Sequence, residues 1–444
     1  RLVLASPGLP PTARTSAALP SRRVAPSVVV MGSEADPRRQ EVAVANAPFG
    51  RFWAAATISS FGTAVTAVAL PVLVVQELEA SAFSVGVVNA AQLVPYAVVG
   101  LVAGVYADRW RRRRILVWSS IGRAASLGVL PVLWALGVLE VWTLVVLLLA
   151  FGTFSVFGFA ATQSLLPQLV PRGRLVTANA RLDQSDAAAQ TLGPALGGGL
   201  VGLLGAPVAI AVDAVSYLVD AVLSAGLRVD EAPADATVQR HLRREVGEGL
   251  RWTYRHPTLA PLAMSTHVWF VAHAAGFTTL TVVALRQMGL SAFVFGLLLA
   301  GGGIASLAGA TAAPAVGSRL GTGPVIIATR AIHPATWILV AVAPAAPHGV
   351  VLLGAALVLQ GLAMGVENAN DTGYWQLVTP DRLLGRANAT RRSVNRTAGA
   401  LGALLGGVAL TLVGSTPTLV AVAVGSAASA MVVALSPLRR IRGV

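Results

Sequence analysis

The sequence predicts an all-α integral membrane protein with twelve transmembrane helices in two six-helix pseudo-repeats. Of the 444 residues, 55% are hydrophobic and 12% are charged, whereas about a quarter of the residues in soluble globular chains are charged. Apolar blocks of about twenty residues recur from residue 51 to residue 436, and a helix of that length crosses the ~30 Å hydrocarbon core of a bilayer. Arginines occur mainly in alternate loops, which predicts the topology. Short motifs of the first half recur about 210 residues later in the second half, which predicts the repeat.

The first 46 residues are rich in Pro, Ala, Ser and Arg and lack hydrophobic periodicity, which predicts a disordered segment over 1–46. They contain no apolar run long enough for the core of a signal peptide. The first residue is arginine, so translation from Met31 stays an open alternative, and we assign no function to the residues before it.

The predicted spans form two groups of six, separated by a polar stretch that contains several arginines. We therefore expect an N-terminal bundle over 47–227, a linker over 228–256, a C-terminal bundle over 257–438 and a basic tail over 439–444. The first six spans lie near 51–75, 83–106, 115–137, 141–164, 185–204 and 207–227. The second six lie near 261–284, 291–316, 324–344, 348–371, 397–413 and 417–436.

The absence of two residue types excludes several classes of protein. All 33 basic residues are arginines, and the chain contains no cysteine. Without lysine there is no Walker A loop for ATP and no Schiff-base lysine, and without cysteine there is no thiolate nucleophile, disulfide or iron–sulfur site. No nucleophile–base set or metal-ligand cluster occurs at a usable spacing either. We therefore predict no enzyme activity, no cofactor and no metal, and an ion gradient as the source of energy.

The distribution of arginine predicts the orientation, because positively charged short loops stay in the cytoplasm. Both termini and the linker are therefore expected to be cytoplasmic, in a multi-pass protein of the plasma membrane. The net charge of +14 is a topology signal, since a nucleic-acid surface would need that charge on one folded face. The intervening loops carry only Arg286. The loops after spans two, four and ten carry Arg109, Arg111, Arg112, Arg113, Arg114, Arg172, Arg174, Arg181, Arg382, Arg386, Arg391, Arg392 and Arg396.

Motifs shared by the two halves indicate an internal duplication. The hexapeptide Ser81–Gly86 before span two returns as Ser291–Gly296 before span eight, 210 residues later. The sequence QLVP at 168–171 returns as QLVTP at 376–380. The residues Asn179, Gly193, Gly197 and Gly198 return as Asn388, Gly402, Gly406 and Gly407.

The loop after span two resembles a known family signature. Residues 104–114 read GVYADRWRRRR, which is similar to the major facilitator superfamily pattern G-x-x-x-D-R-x-G-R-[RK], with Arg111 in place of the second Gly. The resemblance implies that Asp108 lies near the start of span eleven and stabilises an outward-facing state. The latch then consists of Gly104, Asp108, Arg109 and Arg112; the alternative is that these arginines only anchor the topology.

Span five resembles the antiporter motif of the same superfamily. Gly193, Pro194, Gly197 and Gly198 match its G-P-x-x-G-G core, although Ala180 and Ala189 stand where further glycines are expected. Close helix packing explains such small residues, and the resemblance adds that they seal the two halves against leakage. From about residue 50 to residue 436 the chain resembles the twelve-helix drug and siderophore exporters, including macrolide efflux and enterobactin exporters.

Ionisable residues within apolar spans are costly, so each is a functional hypothesis. In the family, spans one, four, seven and ten line the central cavity. Glu367 in span ten is therefore our first candidate for proton coupling, followed by Asp371, Asp213 and His273, because a desolvated group that alternates between water and protein can exchange a proton. The alternative for Glu367 and Asp371 is contact with cytoplasmic water at the end of the span. Arg123 in span three is predicted to be a buried ion-pair partner.

The resemblance implies secondary active export of a small amphipathic molecule, such as a drug, secondary metabolite or siderophore, by proton antiport and alternating access. Uptake or facilitated diffusion, or a non-transporting receptor of the same fold, are the alternatives. The expected partners are the solute, protons and the lipid bilayer, without nucleic acid, and the expected functional unit is a monomer. Candidates for the substrate cavity are Thr63, Phe154, Phe157, Gln163 and Asn368.

Overall fold

The computed structural model describes residues 47–100, 103, 110–229 and 242–441. The predicted disordered segment 1–46, the latch residues Gly104, Asp108 and Arg109, and the end of the basic tail lie outside these residues. The described part is helical, without a strand.

Twelve apolar helices and one amphipathic helix account for the described fold. The first six helices are α1 (Ala47–Val72), α2 (Ala82–Val98), α3 (Arg112–Ala135), α4 (Val141–Leu169), α5 (Leu175–Leu204) and α6 (Ala206–Ala225). The others are α7 (Leu242–Arg255), α8 (Leu259–Val282), α9 (Ala292–Leu320), α10 (Thr322–Val342), α11 (Gly349–Val378), α12 (Asp381–Val413) and α13 (Ser415–Ala434). Among the described residues, 11 helices are long and apolar enough to cross a membrane, and α2 is a shorter apolar helix. The predicted fold class is confirmed, with α8–α13 corresponding to spans seven to twelve.

Two helices begin earlier than we predicted. α5 begins at Leu175 rather than near residue 185, and α12 begins at Asp381 rather than near residue 397. The apolar pattern stops where charged residues start, but a helix needs only its backbone hydrogen bonds and continues past the hydrocarbon. The arginines of 386–396, predicted in a loop, therefore lie on α12.

The linker contains a helix that the polarity of 228–256 did not predict. α7 packs against α8 and α12, and the Tyr254 hydroxyl lies 2.6 Å from Nε2 of His267 on α8. Nδ1 of His267 in turn lies 2.7 Å from Oδ1 of Asn395 on α12. The linker helix is thus attached to α8 and α12 through His267, and to α12 also through the ion pair of Glu248 with Arg386.

The duplicated motifs produce the same local structure in each half. Ser81 caps the N-terminus of α2 and Ser291 caps that of α9, each hydroxyl accepting a hydrogen bond from the backbone N–H three residues later. The turns between α5 and α6 and between α12 and α13 each use a glycine with positive φ, Gly205 at 84° and Gly414 at 83°. Because these signals recur about 209 residues apart, both halves acquire the same order of helices and turns.

Helix packing follows the repeat as well. In the first half α1 packs against α5 and α6, α3 packs against α4 and α6, and α2 packs against α4. The second half has the same pairs, with α8 against α12 and α13, α10 against α11 and α13, and α9 against α11. The halves meet where α2 contacts α12 and where α5 contacts α9. Each half is therefore a bundle whose main contacts with the other half are these two, with smaller contacts of α2 with α8 and of α1 with α9.

Glycines allow the backbones of the two halves to touch. A Cβ atom at Gly86 on α2 would lie 2.6 Å from the carbonyl oxygen of Ala403 on α12, and one at Gly198 on α5 would lie 2.5 Å from the carbonyl oxygen of Ala292 on α9. A Cβ atom at Gly296 would overlap the carbonyl oxygen of Pro194. Only residues without a side chain fit at these contacts.

A reciprocal pair of hydrogen-bonding side chains also joins the halves. We call the end of the bundle where α1, α3, α5, α8, α10 and α12 begin the arginine-rich end, and the other end the arginine-poor end. At the arginine-poor end, Gln76 donates to the carbonyl oxygens of Leu285 and Leu290 at 3.3 and 3.2 Å. Arg286, which is 210 residues after Gln76, donates to those of Val75 and Ala80 at 3.2 and 2.8 Å. Arg286 therefore links the halves.

We predict that Gly198→Ala destabilises the protein, because the added methyl group pushes α5 and α9 apart. The expected cost is about 1–3 kcal/mol, which is typical of overpacking. Thermal unfolding of the purified protein in detergent measures it. Gly199→Ala is the matched control, since a Cβ atom there has nothing within 4 Å. Equal melting temperatures for the two variants would contradict the packing argument.

Candidate functional site

A cavity of about 820 Å³ lies between the two halves, within the range of about 300–1,000 Å³ usual for small-molecule sites. Its wall comes mainly from α1, α5, α8, α9 and α11, with single residues from α3, α6 and α10. Asp183 and Asp186, near the start of α5, belong to the wall, so the cavity extends toward the arginine-rich end. The opposite end is the one bridged by Gln76 and Arg286.

The N-terminal half contributes a cation to the wall whose charge is already balanced. Nη2 of Arg123 on α3 donates to Oδ2 of Asp220 on α6 at 3.3 Å, and its guanidinium lies 4.2 Å from the ring centroid of Tyr217. The Tyr217 hydroxyl lies 2.6 Å from that of Thr63 on α1. The expectation that Arg123 forms a buried ion pair is confirmed.

Asp213 on α6 is fully buried and outside the cavity wall. Its carboxylate accepts hydrogen bonds from the hydroxyls of Thr66 at 2.6 Å and Ser216 at 3.1 Å. Within the described ranges it has no salt bridge to a cation, and the hydroxyls hold it between α1 and α6.

The C-terminal half contributes His273 on α8 to the wall. Its ring stacks on Trp269, with centroids 4.4 Å apart, and its Nδ1 lies 3.2 Å from Nε2 of Gln360 on α11. Trp269 also contacts His333 on α10, at 5.7 Å between ring centroids. The rings of His273, Trp269 and His333 therefore connect the cavity wall to a buried ion pair between α10 and α11.

That ion pair is centred on Glu367, which is only 7% exposed. Its carboxylate accepts from Nη2 of Arg330 at 2.9 Å and lies 3.2 Å from Nε2 of His333. Glu367 follows the wall residues Gln360 and Met364 by seven and three positions on α11, so it lies on the same side of that helix. The pair thus ties α10 to a helix of the cavity wall.

Arg330 is 2% exposed, and both of its Nη atoms also donate to hydroxyls. Nη1 donates to Ser265 at 2.6 Å and to Ser429 at 3.0 Å, and Nη2 donates to Thr266 at 2.9 Å. These hydroxyls come from α8 and α13. The guanidinium is therefore in contact with three helices besides its own.

Asp371, one turn after Glu367 on α11, has an arginine of its own. Its Oδ2 accepts from Nη1 of Arg391 at 2.7 Å, and Arg391 lies 4.8 Å above the ring of Trp375. Arg391 was not predicted as a partner because it was expected in a loop rather than on α12. The Arg330 partner of Glu367 was not predicted either.

Of the candidates for the substrate cavity, Thr63 lies in the wall and four do not. Phe154 packs against Gly122 of α3, and Phe154 and Phe157 line a separate groove beside Trp118. Gln163 and Asn368 are exposed and outside the wall. The reason is that α4 packs against α2 and α3, while α5 and α9 occupy the wall where the family resemblance placed span four.

The residues of the antiporter motif pack α5 against α1 of its own half and against α9 of the other half. A Cβ atom at Gly193 would overlap Ala64 of α1, and one at Gly197 would lie 2.9 Å from Cα of Val65. Gly198 and Pro194 contact α9, as described above. Of the predicted latch, only Arg112 is among the described residues, at the start of α3, so the latch stays a prediction.

Comparison with known proteins agrees with this geometry. The transmembrane secretion effector family matches residues 42–443. The uncharacterized MFS-type transporter y4rN of Sinorhizobium fredii is 29% identical over 327 residues, which cover 72% of this chain and 78% of y4rN. The multidrug efflux pump Tap of Mycobacterium tuberculosis is 29% identical over 222 residues, 47% of this chain and 52% of Tap. The chain thus matches about half the length of Tap.

A solved structure shares the fold. The crystal structure of the nucleoside transporter NupG superposes with a TM-score of 0.71 over 87% of this chain and 98% of that chain, at 13% sequence identity. The resemblance read from residues 104–114 and 193–198 is therefore confirmed by a family match across the whole bundle and by a shared twelve-helix architecture. The chain is a multi-pass membrane protein that belongs to the transmembrane secretion effector family of the major facilitator superfamily.

Proposed function

We propose that this protein is a secondary active transporter that exports a small amphipathic molecule by alternating access, driven by proton influx. The observation that carries the proposal is a cavity between two bonded halves with a buried glutamate behind its wall. Tap, which aligns with 47% of this chain, is named a multidrug efflux pump. Export from the cytoplasm fits a cavity that extends toward the arginine-rich end, because the distribution of charge predicts that this end is cytoplasmic.

The proton-carrying group in this proposal is Glu367. When ionised it is balanced by Arg330, and when protonated it loses that ion pair. The protonation state of Glu367 is therefore linked to the contact between α10 and the wall helix α11. Asp371 and Asp213 are the alternative carriers, and His273 lies between the cavity and Glu367.

The wall of the cavity fits a solute with both apolar and polar parts. Tyr217, Phe277 and Trp337 present aromatic surface, while Thr63 and Gln190 present hydrogen-bonding groups. Asp183 and Asp186 add negative charge at the arginine-rich end of the wall. That charge favours neutral or cationic solutes over anions.

The orientation can be tested with single-cysteine variants, because the chain has no cysteine of its own. We expect cysteines at Glu79, Glu140 and Ser415 to react with a membrane-impermeant maleimide on intact cells. Cysteines at Trp110 and Gly385 should react only after the membrane is permeabilised. The reverse pattern would place the arginine-rich end outside and turn the proposed direction of transport around.

Proton coupling can be tested by Glu367→Gln, which mimics the protonated side chain. In inverted membrane vesicles with an imposed pH gradient, the parental protein should accumulate a lipophilic, cationic dye. Glu367→Gln should lose this accumulation while retaining dye exchange at equal concentrations, because Glu367 is not one of the residues that line the cavity. Asp371→Asn should have a milder effect.

The matched control is Glu140→Gln, the same chemical change at an exposed position in the connection between α3 and α4. It should accumulate dye at the parental rate. If Glu367→Gln also did so, Glu367 would not carry the proton, and Asp213→Asn would be the next variant. Failure of the parental protein to accumulate dye at any imposed pH gradient would instead favour uptake or facilitated diffusion.

A further inference from the structure

In each half of the protein, an arginine on an equivalent helix pairs with an acid inside the bundle. Arg123 lies on α3 and Arg330 on α10, 207 residues later, whereas the repeated motifs are 208–210 residues apart. The two arginines therefore differ in register by one to three positions along equivalent helices. Both helices occupy the same position in their bundles, since α3 packs against α4 and α6 while α10 packs against α11 and α13. The two arginines therefore face equivalent pairs of helices.

The acid that neutralises the arginine comes from a different helix in each half. Arg123 pairs with Asp220 of α6. The equivalent position on α13, 209 residues later, is Ser429, whose hydroxyl accepts from Arg330 at 3.0 Å. A serine thus contacts Arg330 at the place from which an aspartate contacts Arg123.

The opposite exchange occurs on the other side of the arginine. Arg330 pairs with Glu367 of α11, and the equivalent position on α4, 209 residues earlier, is Gly158. A Cβ atom at Gly158 would lie 3.2 Å from Nη2 of Arg123. Gly158 therefore faces Arg123 as Glu367 faces Arg330, but without a carboxylate.

This exchange gives the two ion pairs different mechanical effects. The pair in the first half joins α3 to α6, each of which contributes a single residue to the cavity wall. The pair in the second half joins α10 to α11, which contributes four residues, Leu357, Gln360, Gly361 and Met364. Only the second pair restrains a main helix of the wall.

We infer that Arg330 is the positioning residue of the coupling site, holding α11 through Glu367, whereas Arg123 and Asp220 form a permanent brace. The inference rests on the proposed function in one respect, namely that Glu367 changes its charge during transport. The titratable and charged groups that face Glu367 are Arg330 and His333 on α10, with Asp371 on α11, Arg391 on α12 and His273 on α8 nearby.

Release of α11 does not leave Arg330 without hydrogen-bond acceptors. The hydroxyls of Ser265, Thr266 and Ser429 already accept from it. An unpaired buried charge is strongly destabilising, and hydrogen bonds reduce that cost. Arg330 can thus keep its hydrogen bonds to α8 and α13 while the wall helix α11 moves.

The test moves the acid that pairs with Arg330 from position 367 on α11 to position 429 on α13, which corresponds to Asp220 in the first half. A reporter cysteine at Ser306, in the wall on α9, is combined with Glu367→Gln, with Glu367→Gln/Ser429→Asp, or with Asp220→Asn. Two quantities are measured on full-length protein, namely the melting temperature in detergent and the rate of maleimide labelling from the arginine-rich side in inverted vesicles. Neither needs a substrate or a pH gradient, so the outcome is independent of whether export is proton-driven.

Glu367→Gln should lower the labelling rate by at least about fivefold, the lower end of usual coupling between sites, because the arrangement with α11 held is less populated. The double variant should regain the parental melting temperature, since Arg330 again faces an acid, but keep the lowered labelling rate. Asp220→Asn should lower the melting temperature and leave labelling within about twofold of the parental rate. Arg330→Gln/Glu367→Gln should label like Glu367→Gln, which covers the case in which the single variant folds poorly.

Three results would overturn the inference. Parental labelling by Glu367→Gln/Ser429→Asp would mean that the position of the acid is unimportant. A labelling change in Asp220→Asn as large as that in Glu367→Gln would make the two pairs equivalent. No recovery of the melting temperature in the double variant would show that Ser429 does not correspond to Asp220.

Discussion

The structure depends on one electrostatic constraint, which is that a charge inside the bilayer must be neutralised where it lies. Two arginine–acid pairs satisfy it within the described helices, joining α3 to α6 and α10 to α11, and a third pair joins α11 to α12 toward the arginine-rich end. Hydroxyl and aromatic side chains complete the environment of these charges. Because each pair is buried, breaking one changes which helices are held together.

A second constraint acts on the backbone, since without a hydrophobic driving force in lipid the helices associate by close packing. Glycines where α2 meets α12 and α5 meets α9 allow contact between backbones, and the reciprocal bonds of Gln76 and Arg286 join the arginine-poor end. Much of this helix arrangement was predictable from the sequence. Ser81 and Ser291 are local N-cap signals, and the glycines recur at a fixed spacing, so the duplication and the order of helices follow from short stretches of chain.

Partnerships between distant residues could not be predicted in the same way. The acids Glu367 and Asp371 were recognised as buried ionisable groups, but their cations depend on which helices pack together and on where helices end. Arg391 became a partner only because α12 extends sixteen residues before the apolar stretch that began at 397. Phe154 was misplaced for a related reason, since helical spacing gives the side of α4 that is apolar but not the neighbour that covers it.

Duplication explains how one buried arginine can have two mechanical roles. A chain that repeats its own fold keeps the arginine in both halves, because α3 and α10 occupy the same place, but the acid can be supplied by either neighbouring helix. Where it comes from α6, the charge is neutralised between two helices at the margin of the cavity. Where it comes from α11, neutralising the same charge requires a helix of the wall to stay in contact with α10. The electrostatic requirement is identical in the two halves, so the choice of helix alone decides whether loss of the pair reaches the cavity.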